Sequence, residues 1–324
     1  MSEAFFRWQG ASDRARPHVL ERPESTVHRI AHLTDPHVPS ETDLVGRLLD
    51  LMREHGSIGS ISKEISAISN EFGHDYSGDR ARYVNLLKKT LVGLHHLDVD
   101  HLVMTGDLVH CGLAREFVDV RAALELAEWW GEDRLSVVAG NHDRFNLYSH
   151  LDDTSMEEFF PVVAPGEARI KKLGDELALL EIDTNRRPDD PHLFERWLPN
   201  TVGRIYPEVV DWVESRLNEL RGRRVFVLLH HHVTDDWYEP PTGDFAGLMD
   251  PVEGIEPLLD VIDTVDPGAM FLHGHQHEVM PVGYRWRGHP FSCPGGFHVY
   301  QCLNVIDVEA DGGCTVTQLT SRPR

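Results

Sequence analysis

Residues 28–38 read HRIAHLTDPHV: an apolar run ending at Leu33, then an acid, a proline and a histidine. Asp35 and His37 stand two apart, with Pro36 fixing the backbone between them. Asp-Pro is a common turn opener, and a histidine just beyond it is at home on a protein surface. A carboxylate and an imidazole leaving the core together are also half of a metal site. The residues at the ends of the other apolar runs decide between these readings.

Five more short runs recur along the chain: HLVMT (101–105), LSVVA (135–139), LALLEI (177–182), RVFVLL (224–229) and AMFL (269–272). RYVNLLKKTLVGL (82–94) and EVVDWVESRLNEL (208–220) place their apolar residues at helical spacing. Buried strands alternating with amphipathic helices predict a layered α/β domain. LNVIDVEADGGCTVTQL (303–319) differs: two alternating runs flank Asp311-Gly312-Gly313, which predicts a hairpin.

Residues 1–27 read as a polar lead-in without an apolar signal region, and 28–324 as one domain. Residues 40–98 are too many for a simple crossover and read as an insertion, a lid or the surface of a homo-oligomer. Within it, 42–56 has helical spacing and 56–79 is rich in Ser and Gly.

Of the 324 residues 41% are hydrophobic, and no stretch is apolar for long enough to span a bilayer, so a membrane partner is not expected. Four scattered cysteines without a CxxC pair predict reduced thiols and a cytoplasmic protein. The net charge of −22 repels a polyanion, which argues against duplex nucleic acid and leaves a small substrate.

After HLVMT come Gly106-Asp107; after LSVVA, Gly140-Asn141-His142-Asp143; after RVFVLL, His230-His231-His232; after AMFL, His273-Gly274-His275-Gln276-His277. With Asp35-Pro36-His37, five strands empty into Asp, Asn or His. Ligands bind at the carboxyl ends of strands in open α/β sheets, so these side chains are expected to converge on a metal site.

In this order the motifs resemble those of the calcineurin-like metallophosphoesterase family, over Asp35 to His277. The resemblance implies a four-layer α-β-β-α sandwich: two mixed β-sheets flanked by helices. It implies two divalent transition-metal ions, of Mn, Fe or Zn. Asp35, His37, Asp107 and His277 would hold the first; Asp107, Asn141, His230 and His275 would hold the second, with Asp107 bridging. Ligation by nitrogen and oxygen without thiolate suits those metals better than Ca or Mg. A water bridging the two ions would be the nucleophile of an in-line displacement. Asn141 and His142 would contact the phosphate, and His142 would protonate the leaving oxygen. His231 remains an alternative to His230, and His273 is expected to point away.

Two departures narrow the activity. Protein phosphatases of the family carry Asp three residues beyond the bridging Asp and an Arg soon after; here stand His110, then Cys111, Gly112 and Leu113. Val233 stands where related phosphodiesterases often have proline. The expected activity is phosphodiester hydrolysis, in the manner of the cyclic-nucleotide and glycerophosphodiester branch. Phosphomonoesterase or nucleotide pyrophosphatase activity is the runner-up. A non-catalytic binding module of the same fold would have lost ligands, and none is missing here. An amidohydrolase barrel would want His-x-His where this chain has Asp-x-His.

Overall fold

The computed structural model describes residues 7–8, 20–39, 80–110, 112–144, 155–190, 201–237 and 250–320. The strands are β1 (Arg7–Trp8), β2 (Thr26–Leu33), β3 (His101–Thr105), β4 (Leu135–Val138), β5 (Ala168–Leu173), β6 (Leu177–Ile182), β7 (Arg224–Leu228), β8 (Met270–Leu272), β9 (Arg285–Trp286), β10 (His289–Ser292), β11 (Cys302–Glu309) and β12 (Cys314–Thr320). The helices are α1 (Arg80–Leu94), α2 (Ala114–Leu126), α3 (Pro207–Glu214), α4 (Leu217–Leu220), α5 (Ile255–Asp263) and α6 (Phe297–Tyr300).

These strands form two six-stranded sheets, ordered β1-β12-β11-β2-β3-β4 and β5-β6-β7-β8-β10-β9. Both are mixed. β2, β3 and β4 run parallel while β11 and β12 pair antiparallel beside them. In the second sheet β6, β7, β8 and β10 are parallel, with β5 and β9 antiparallel at the edges.

Side-chain alternation along each strand builds the layers. On β7, Phe226 and Leu228 face the other sheet with Ile30, Val103, Met270 and Leu272, whereas Val225 and Val227 face Val209 and Val213 of α3 and Leu258 of α5. On β2 and β3, Ala31, Leu33, Leu102 and Met104 pack against Leu87 and Leu91 of α1 and Phe117 of α2. The result is the expected helix-sheet-sheet-helix sandwich, with three apolar interfaces. Strands buried on both faces read as continuous apolar runs, which is why they stood out in the sequence.

Of the 40–98 stretch, 40–79, including the expected helix over 42–56, lies outside the described residues. Arg80–Leu94 is α1 and belongs to the helical layer, burying Leu87, Leu91 and Leu94. The helix expected over 208–220 is broken into α3 and α4 at Ser215 and Arg216. There the Ser215 hydroxyl donates to the Trp212 carbonyl at 2.7 Å, a local bond that competes with the helical ladder. Among the described residues, no helix is long and apolar enough to cross a membrane.

Candidate metal centre

β2 and β3 end in register, Leu33 opposite Met104, and their loops continue side by side. The Asp35 N–H donates to the Gly106 carbonyl at 3.1 Å and the His37 N–H to the Asp107 carbonyl at 3.0 Å. Asp35, His37 and Asp107 all take left-handed backbone angles, with φ of 51°, 41° and 49°. Asp and His tolerate that region better than most residues, and strain of this kind concentrates at functional sites. With Pro36 between them, these angles turn Asp35 and His37 toward the same cavity. His275 and His277, at φ 75° and 58°, repeat the device after β8.

Four side chains converge first. His37 Nε2 lies 3.4 Å from Asp107 Oδ2, 3.9 Å from Asp35 Oδ1 and 2.9 Å from His277 Nε2, and His277 Nε2 lies 3.5 Å from Asp35 Oδ1. Beside them His230 Nε2 is 3.4 Å from Asp107 Oδ1 and 3.0 Å from Asn141 Oδ1. Asn141 Oδ1 is also 2.9 Å from His275 Nδ1. Potential ligand atoms of Asp35, His37, Asp107 and His277 thus form one cluster, those of Asp107, His230 and His275 a second, and Asp107 belongs to both.

The seven residues expected to bind metal therefore meet in one place, at the carboxyl ends of β2, β3, β4, β7 and β8. His231 turns aside, its Nδ1 2.7 Å from the Thr184 hydroxyl. His273 also faces away: its Nδ1–H donates to the Gly274 carbonyl at 3.2 Å, and its ring packs near Trp237 and Phe291. His142 sits at the rim, half-buried, with its ring 4.6 Å from that of His37. Its backbone N–H donates to Asp107 Oδ1 at 2.8 Å, and its Nδ1–H to the His110 carbonyl at 2.8 Å.

Glycine has a spatial role in these motifs. A Cβ on Gly140 would overlap the Asp107 carboxylate and backbone nitrogen, and one on Gly274 would overlap the Thr34 hydroxyl and the Asp35 carboxylate. Bare backbone at these points lets the ligand loops touch.

The donor set fits divalent cations. Asp35 and Asp107 are fully buried, and among the described residues their ion pairs are with histidines alone. Two carboxylates buried without a guanidinium or ammonium are costly unless something neutralises them. Burial pushes the Asp35 carboxyl up to about 7, a rise that the neighbouring Asp107 adds to and His230 opposes. Burial also acts on Asp107, but the facing His230 and His142 outweigh it and hold that carboxyl below the usual range. Burial drives His37, His275 and His277 well below ordinary histidine values, and the crowd of other imidazoles adds to this. Neutral imidazoles with lone pairs, set against buried carboxylates, are what a transition-metal ion requires.

The surrounding groups fix the ligands' orientation, as carbonyls and carboxylates do around metal-binding histidines. His230 Nδ1–H donates to the Thr105 carbonyl at 2.8 Å, and the His275 N–H to Asp35 Oδ1 at 3.1 Å. His275 Nε2 lies 2.9 Å from the Thr201 carbonyl. Asp143 accepts from the N–H groups of Gly140 at 2.9 Å and Val109 at 3.1 Å, pinning the Asn141 loop to the Asp107 loop. The motif places Asp143 in the sequence, but not this bracing role. His298 and His110 also stand beside His37, and nothing next to them in the chain marks them as ligands.

The family model described as calcineurin-like phosphoesterase matches residues 28–279, more than half of the chain. Among solved structures, a dimetal phosphatase from Danio rerio is 13% identical with a TM-score of 0.58, the match covering 92% of this chain and 97% of that one. The calcineurin-like phosphoesterase YfkN from Bacillus subtilis is 14% identical with a TM-score of 0.46, covering 90% of each chain. The sulfate thiohydrolase SoxB from Thermus thermophilus is 14% identical with a TM-score of 0.47, covering 93% of this chain and 58% of that one. At 13% identity the likeness to the Danio rerio phosphatase is one of fold. No curated protein sequence matches the chain closely enough to count as a relative.

Proposed function

Since the chain belongs to the calcineurin-like phosphoesterase family, whose members hold divalent metals, we propose that it is a dinuclear phosphodiesterase. The observation that carries the metal part is the sharing of Asp107 between two ligand clusters. Asp35, His37, Asp107 and His277 would hold one ion, and Asp107, Asn141, His230 and His275 the other. Bound there, the ions would supply an activated water and offset charge developing on the attacking and leaving oxygens.

The chain's own residues do the rest. Asn141 and His142 would face the phosphoryl group. His142 keeps its Nδ1 proton on the His110 carbonyl, so a proton given to the leaving oxygen is a second one, carried on Nε2 of the imidazolium form. Asp143, through Gly140 and Val109, holds His142 at a fixed distance from Asp107.

The diester preference rests on the departure at His110. Its ring stacks on that of His142 at 5.5 Å, and burial pushes it down to about 3, which leaves it neutral. Where the phosphatases present Asp and then Arg, this site presents an uncharged imidazole. A diester brings one negative charge to such a site and a monoester two, so the diester is disfavoured less. The test compares bis(nitrophenyl) phosphate with nitrophenyl phosphate at equal pH and metal, with Mn added back after chelation. The expected result is a higher kcat/KM for the diester. A monoester preference transfers the assignment to phosphomonoesterase or nucleotide pyrophosphatase, and hydrolysis of neither refutes the enzymatic reading.

A further inference from the structure

His298 stands against the first ligand cluster but comes from a different part of the chain, the short helix α6 between β10 and β11. Its ring centroid is 4.6 Å from that of His37 and 4.6 Å from that of His277, nearly perpendicular to both. One nitrogen from each of the three lies within 4.8 Å of the others. The residue is 7% exposed.

Its other nitrogen is committed. His298 Nδ1 lies 2.8 Å from the Asp35 carbonyl, and the His298 backbone N–H donates to the same oxygen at 3.3 Å. A carbonyl only accepts, so Nδ1 carries the proton and the neutral ring has its lone pair on Nε2. A histidine with Nδ1–H on a backbone carbonyl and its ring beside two other imidazoles has the pose of a metal ligand. His230 adopts the same pose, with Nδ1 on the Thr105 carbonyl.

We infer that His298 is a further ligand of the first metal ion, added through Nε2 to Asp35, His37, Asp107 and His277. The inference rests on the dinuclear reading above and extends its ligand set by a residue outside the strand-end motifs. The consequence is a first site richer in imidazole than the second, and therefore the tighter of the two for softer transition metals.

Two substitutions separate a ligand from a brace. His298→Asn keeps an N–H that reaches the Asp35 carbonyl and removes Nε2; His298→Ala removes both. Calorimetric titration of the metal-free proteins with Zn or Mn reads each site's affinity, independently of activity. His298→Asn is expected to weaken the tighter site by more than the roughly 10-fold at which the loss of a mere orienting partner begins, and to leave the other within about 3-fold. Wild-type affinity at both sites in His298→Asn would overturn the inference and reduce His298 to a brace for Asp35. Metal uptake by neither wild type nor variant would refute the dinuclear reading itself. Should the variants not fold, cadmium-loaded wild-type protein labelled with nitrogen-15 decides. Through-bond coupling between cadmium and His298 Nε2 is expected, and its absence at full loading overturns the inference.

Discussion

His230 Nε2 stands 3.4 Å from Asp107 Oδ1, and the two residues come from opposite sheets, Asp107 from the end of β3 and His230 from the end of β7. The centre therefore forms only when the sandwich closes. Burial alone would drive the His230 proton off, but Asp107 and Asp35 outweigh it and raise His230 to about 9.

Metal uptake is expected to expel that proton. Below about pH 9 the metal-free His230 is charged, so binding at its site must release about one proton, and affinity falls as pH drops further. Calorimetric titration at neutral pH in buffers of different ionisation enthalpy reads the proton count. An enthalpy independent of buffer would show that His230 is neutral before the metal arrives.

His142→Ala separates binding from chemistry. Metal content should stay near wild type while kcat falls by roughly 10²–10⁴, the usual scale of acid–base assistance. The loss should shrink for substrates with a nitrophenolate leaving group, which needs no proton. A His142→Ala protein that loses a metal ion would make His142 a ligand instead.

Gly274→Ala tests the close approach of the two sheets' loops. The added Cβ would displace the Asp35 carboxylate and the Thr34 hydroxyl. Affinity at the first site should fall by roughly 10–100-fold, the scale seen when a ligand's support is disturbed. Metal binding unchanged by Gly274→Ala would mean that Asp35 is not held where its hydrogen bonds to His275 place it.

Acid stability should depend on His101, remote from the centre. Burial, aided by the nearby Lys171, pushes this histidine down to about 3, and its ring nitrogens lie 3.1 Å from the Asp133 carbonyl and 3.0 Å from the Ser136 hydroxyl. The unfolded chain takes up a proton near pH 6.5 that the folded one refuses, so stability is full above that pH. It is lost as pH falls from about 6.5 toward 3, by up to about 1.4 kcal/mol per pH unit for this group. Urea unfolding of wild type and His101→Gln at about pH 7 and about pH 5 should show a shallower loss in the variant. Equal losses would place the acid sensitivity elsewhere.

The layered fold and the converging strand ends were legible because a strand buried on both faces is an apolar run, and whatever stands at its carboxyl end is conspicuous. β5, ARIKKL, was not: an edge strand that keeps Arg169, Lys171 and Lys172 on its surface has no apolar run. Arg169 and Lys171 instead pair with the buried Glu181 of β6, a partner that only the register reveals. The helix break at Ser215 turns on one hydroxyl's choice of partner. His298 was illegible for a third reason. It meets Asp35 across 263 positions of sequence, and nothing in GGFHVY marks it as facing a metal site.

In the proposed dinuclear centre one carboxylate, Asp107, serves two ions. Metal analysis by mass spectrometry of wild type and Asp107→Asn, each loaded and freed of excess metal, tests it directly. Wild type should carry about two ions per chain, and the variant should lose metal at both sites along with hydrolysis, because removing the bridge weakens both. An Asp107→Asn protein that keeps two ions and near-normal turnover would contradict the claim.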